Sequence, residues 1–176
     1  MRLATLAAVL VSGFLSSGCL VIGLHPFYDD GSIEFDEALI GEWESGEESL
    51  RIARSPWKSY RIDYTSGAET ASYDGHLTRL GSFKLLDLVP VTEGAIRVHL
   101  PVRVKPLGDT LSLAPLDFWW FRREAEHGQP QALRPAIDDE GDVLLTAATA
   151  AVRDWLAAHA EHFDDDPVRF TRKPAR

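Results

Sequence analysis

The sequence predicts a mainly β fold of the α+β class: an antiparallel sheet curled into a partial barrel, with one short and one longer helix in the C-terminal third. Three observations carry this. Between residues 33 and 115 apolar side chains recur with period two, the mark of strands with one buried face. Turn residues separate these runs at near-regular spacing, the rhythm of a β-sandwich or barrel. After Asp117 the period changes to that of a helix.

The elements follow in order. A strand at Trp43 and another around Leu50-Arg51-Ile52 come first. Tyr60, Ile62 and Tyr64 alternate with Arg61 and Asp63, and Ser66-Gly67 marks the next turn. Tyr73, Gly75 and Leu77 repeat the pattern against Asp74, His76 and Thr78. Phe83 and Leu85 begin a strand in one phase and Leu86 and Leu88 continue it in the other, which predicts a β-bulge. The clearest strand spans 96–105, where Ile96, Val98, Leu100, Val102 and Val104 share one face and Arg97, His99, Arg103 and Lys105 the other. Pro101 lacks a backbone N–H and predicts an edge or a bulge there. A Gly108-Asp109 turn leads to Leu111 and Leu113, for about seven strands in all. Asp117 is placed to cap a helix over 118–127 that stops at Gly128. In 149–163, Val152, Trp155, Leu156, His159 and Phe163 form one stripe suited to docking on a sheet. Short strands at 142–145 and 168–171 complete the chain, the last pairing back.

At 176 residues the chain has room for one domain, which buries about 70% of its unfolded surface without cross-links. A single cysteine forms no internal disulfide. The net charge of -9 is concentrated: nine carboxylates and no Lys or Arg lie from Asp29 to Glu48, and everything after Glu48 sums to -1. An acidic entry with a balanced body carries no electrostatic footprint for nucleic acid. The acidic run reads as a solvated segment, with a divalent-cation site as the sharper alternative.

Met1-Arg2 and the 13-residue, mostly apolar run from Leu3 to Leu15 have the form of a secretory signal peptide, too short to span a bilayer as a helix. The rival is an uncleaved anchor, because no charge appears from Leu3 to Leu24. Ser16, Ser17 and Gly18, small and poor helix formers, separate the two readings by offering a peptidase an extended backbone just before Cys19. This stretch resembles the lipobox of bacterial membrane lipoproteins. The resemblance implies cleavage after Gly18, acyl chains such as palmitate on Cys19, and anchoring by more than one chain. Leu20 rather than Asp after the cysteine resembles the sorting pattern for the outer membrane, which implies a periplasm-facing protein. The expected organisation is a signal peptide over 1–18, a lipidated N-terminus and acidic tether over 19–32, and one β-rich domain over 33–176.

Gly41-Glu42-Trp43 resembles the Gly-x-Trp motif at the first strand of lipocalin-like barrels. The resemblance implies that Trp43 plugs one barrel end and that a C-terminal arginine, Arg169 or Arg172, packs across it. Lipobox, acidic segment, Gly-x-Trp and C-terminal helix together resemble small uncharacterised envelope lipoproteins, which implies a fold and no activity.

Four consecutive aromatics, Phe118, Trp119, Trp120 and Phe121, cannot all share one side of a helix or strand, so at least one meets a second element, a ligand, lipid or a partner. They are the candidate binding surface. His159 and His162, three apart on a helix, are weak metal-ligand candidates, since His159 also lies on the apolar stripe. No metal or cofactor is expected. The chain has no Gly-x-Ser-x-Gly, no Gly-rich phosphate loop and no His-Glu-x-x-His. The sequence therefore points to a lipid-anchored binding or structural protein with an envelope protein partner or a small apolar ligand. An envelope hydrolase with a site assembled from scattered residues is the alternative.

Overall fold

A computed structural model describes residues 20–93 and 96–174. Its centre is a closed, eight-stranded antiparallel β-barrel. In chain order come β1 (Val21–Gly23), β2 (Ile33–Glu34), β3 (Gly41–Ser45), β4 (Glu48–Ser55), β5 (Ser59–Ser66), β6 (Glu69–Leu80), β7 (Phe83–Pro90), β8 (Leu100–Leu107) and β9 (Thr110–Pro115). Helix α1 (Phe118–Ala125), β10 (Pro135–Ile137), β11 (Val143–Leu145), helix α2 (Thr149–Ala158) and β12 (Val168–Arg172) follow. Strands β3 to β9 form an up-and-down meander, β6 pairs with β7, and β12 closes the ring by pairing with both β9 and β3. The expected partial barrel is thus complete, because the predicted last strand brings one strand more than the seven counted.

Period-two alternation does what the sequence implied. Tyr60, Ile62 and Tyr64 of β5, Leu86 and Leu88 of β7, and Val102 and Val104 of β8 all point into one core with Trp43 and Phe170. The hairpin turns over 55–59, 80–83 and 107–110 lie at the Trp43 end of the barrel, and those over 45–48 and 66–69 at the opposite mouth.

The bulge predicted in β7 does not form. The β6–β7 register runs without interruption from Leu80↔Phe83 to Tyr73↔Pro90. The mixed phase arises because β7 is buried on both faces. Leu86 and Leu88 face the barrel interior, whereas Leu85 belongs to a second core on the outside. That outer core is built by Phe121 of α1, Val152 and Leu156 of α2, Leu133, Val143 and Phe163. Pro101 forms no bulge: it pairs with Asp87 on the β7 side and lies one residue beyond the last β8–β9 pair, Val102↔Pro115, so on the β9 side it stands at a local edge, as its missing N–H implied. Strand β8 starts at Leu100 rather than 96, and Ile96 is 82% exposed.

Both helices form where expected but end early. Asp117 caps α1 by accepting from the Trp120 N–H, and α2 stops at Ala158, with the stripe continued by a 3-10 turn, Ala160–His162. The segment read as a tether is packed. Strand β1 pairs in parallel with β11, Phe27 is fully buried in the outer core, and Gly23 bridges His99. Nor is the acidic run simply solvated: Asp29, Glu34, Asp36, Glu37 and Glu44 meet Arg153, Arg79, Lys84, Arg54 and Lys173 respectively.

Candidate functional site

At the Trp43 end, a 3-10 turn (Glu37–Leu39) crosses the barrel, and the buried Trp43 indole donates to the Leu39 carbonyl at 3.0 Å. Phe170 faces inward on β12, so Arg172, two residues on, faces inward too. Its guanidinium carbon lies 4.0 Å from the Trp43 ring centroid. Nη1 donates to the Ile40 carbonyl and Nη2 to the Ala38 carbonyl, each at 2.7 Å. Gly41 completes the arrangement: its φ of +146° favours glycine, and a Cβ there would come within 2.5 Å of Arg172 Nη1. Of the two arginines the sequence left open, Arg172 covers the tryptophan, while Arg169 lies on the outer face opposite Ser112.

The interior is filled by side chains. A void of about 30 Å³ remains among residues that include Ile62, Tyr64, Tyr73, Leu88 and Val102. A water needs roughly 10–15 Å³ of such space, so the void is suited to one or two water-sized molecules, and its lining is apolar. Burial pushes the phenols of Tyr60 and Tyr73 up to about 12, so both are neutral hydroxyls at every physiological pH.

A pair of titratable residues that the sequence reading did not single out lies on the barrel wall. His99 Nδ1 is 2.9 Å from Asp87 Oδ2, with the side chains 7% and 0% exposed. The same carboxylate oxygen accepts from the Phe27 N–H at 3.0 Å. The signal for this pair was present as two polar residues inside apolar runs, but only pairing brings them together. Through these bonds, and the Gly23–His99 bridge beside them, the pair fastens the N-terminal segment to the wall. Beside it, His76 stacks on Tyr28 at 4.4 Å, its buried Nδ1 has no hydrogen-bond partner among the described residues, and burial lowers its pKa.

The four-aromatic run divides. Phe121 is fully buried, Phe118 and Trp120 are half-buried, and Trp119 is 73% exposed. His162 stacks on Trp120 at 3.7 Å, and Trp155 stacks on His159 at 4.1 Å. The two histidines are therefore part of an aromatic packing seam between α1 and α2, with His159 Nδ1 2.7 Å from the Trp155 carbonyl. Among the described residues, Asp138, Glu140 and Asp142 form the carboxylate cluster that sequence spacing did not flag. Two of its oxygens accept backbone bonds: one of Asp138 from the Glu140 and Asp142 N–H groups, and one of Asp142 from the Leu20 N–H. Cys19 and the Ser16-Ser17-Gly18 stretch lie outside the described residues.

The chain matches no family model, no curated protein and no solved structure. Its architecture, a closed eight-stranded barrel, is compatible with lipocalin-like ligand binding.

Proposed function

We propose that the protein is a lipid-anchored binding module of the bacterial cell envelope, acylated at Cys19, that engages an envelope protein partner through its outer surface. The observation that carries the choice of surface is a contrast. The barrel interior is packed down to a void of about 30 Å³, while Trp119 stands 73% exposed on a helix whose other face is docked. Exposed tryptophans anchored on a rigid element are the usual centres of protein interfaces. The lipobox resemblance supports the anchor, and Leu20 after the cysteine supports an outer-membrane, periplasm-facing address.

Two measurements test this. Metabolic labelling with a palmitate analogue is expected to mark the wild-type protein and not Cys19→Ser; equal labelling of both ends the lipoprotein reading. A photo-crosslinking residue at position 119 in living cells is expected to capture a discrete partner that the same residue at position 107 does not. Absence of a position-specific product removes the partner reading.

A second reading, carriage of a small apolar ligand, is favoured by the apolar lining of the void. Ligand pockets run to about 300 Å³ or more, so the barrel would have to open by roughly tenfold in volume. Native mass spectrometry of protein extracted mildly from membranes is expected to detect a bound apolar molecule if this reading holds.

A further inference from the structure

The mouth of the barrel opposite Trp43 carries a groove with an apolar wall formed by Leu20, Ile22, Pro90, Ile96 and Val98. Ile96 at its edge is 82% exposed, and Val91, next to Pro90, is 47% exposed. Leu20 is not a loose end there. Its N–H donates to Asp142 at 2.8 Å, and its carbonyl accepts from the Val143 N–H at 2.9 Å. The backbone is therefore held by the fold up to the residue that follows Cys19. Successive Cα atoms are about 3.8 Å apart, so no spacer separates the cysteine from this groove.

We propose that this corner of the mouth is the membrane-seating face: the acyl-bearing residue 19 leaves the fold at the groove, and Val91 and Ile96 rest in the bilayer interface beside it. The inference rests on the lipidation reading above. Its consequence is a fixed orientation, in which the Trp43 end of the barrel, with the exposed Trp57 and Leu107, points away from the lipid. The groups facing the groove define the kind of surface. Asp138, Asp139, Glu140 and Asp142 line its other wall, and Glu93 and Arg97 flank the loop that bears Ile96. This excess of carboxylates is repelled by anionic headgroups and accepts the ammonium of a zwitterionic one, so the fitting surface is a phosphatidylethanolamine-type leaflet.

The mature chain has no cysteine other than the acylated one, so single labelling sites can be introduced. Full-length protein purified from membranes, carrying Ile96→Cys or Leu107→Cys with a bimane label, is reconstituted into phosphatidylethanolamine/phosphatidylcholine vesicles containing brominated lipid. Both residues are exposed, so neither change threatens folding. Several-fold stronger quenching at 96 than at 107 is the expected result. Equal quenching at the two sites, in protein that floats with the vesicles, overturns the seating while leaving the anchor intact. Protein that neither floats nor incorporates palmitate overturns the anchor, and the seating with it.

Discussion

The guanidinium carbon of Arg172 lies over the indole of Trp43, 4.0 Å from its centroid, and the guanidinium fastens the turn that closes the barrel through two carbonyls at 2.7 Å. Charge-assisted bonds of this kind contribute about 1.5–3 kcal/mol each where desolvated and the cation–π contact about 1, and the open setting of the Arg172 side chain, 29% exposed, discounts that sum through solvent screening. Arg172→Ala is expected to lower stability by roughly 2–4 kcal/mol in urea unfolding, whereas Arg169→Ala on the outer face changes it by less than about 0.5. Gly41→Ala should resemble Arg172→Ala, since its Cβ displaces the same guanidinium.

Asp87 holds both His99 and the Phe27 N–H in a buried setting. Asp87→Ala strands both donors, and each buried donor left unsatisfied costs about 1–3 kcal/mol. Hydrogen exchange at Gly23 and His99, whose backbones bond each other at 2.8 and 3.0 Å, is expected to accelerate before the barrel strands do. Uniform acceleration would show instead that the N-terminal segment and barrel unfold as one unit.

Neighbours in the aromatic run should separate cleanly. Phe121→Ala removes a fully buried ring and is expected to cost about 3–5 kcal/mol, while Trp119→Ala leaves stability within about 0.5 and weakens capture by a photo-crosslinking residue at the exposed position 123, one helical turn away on α1.

Burial lowers the His76 pKa, so the folded protein resists its protonation. Above the ordinary value of 6.5 both folded and unfolded states are neutral, and the group is silent. As pH falls below 6.5 the unfolded chain takes up the proton first and stability declines, until the folded pKa is passed. His76→Phe, which keeps a ring against Tyr28, is expected to flatten the stability profile below about pH 6.5. An NMR titration midpoint for His76 at or above 6.5 would contradict this.

The β4–β5 turn places Trp57 and Lys58 at φ of 61° and 58°, a left-handed pair that usually takes Asn-Gly. Lys58→Gly is expected to raise stability by about 0.5–1 kcal/mol, read as a shift in the urea midpoint at unchanged slope.

Sequence alone determined the β class, the inward residues of nearly every strand, the Asp117 cap and the helical stripe of α2, because alternation and capping are local consequences of burial and backbone geometry. It also narrowed the arginine over Trp43 to two positions. The rest depended on who meets whom. A period-two pattern states which side of a strand is buried and not against what, so the double burial of β7 read as a bulge, and the N-terminal segment, too short to show a period, read as a tether. Closure by β12, the Asp87–His99 fastening and the choice of Arg172 over Arg169 arise from contacts between residues far apart in the chain. Only the tertiary structure, by fixing strand register, decides such pairings.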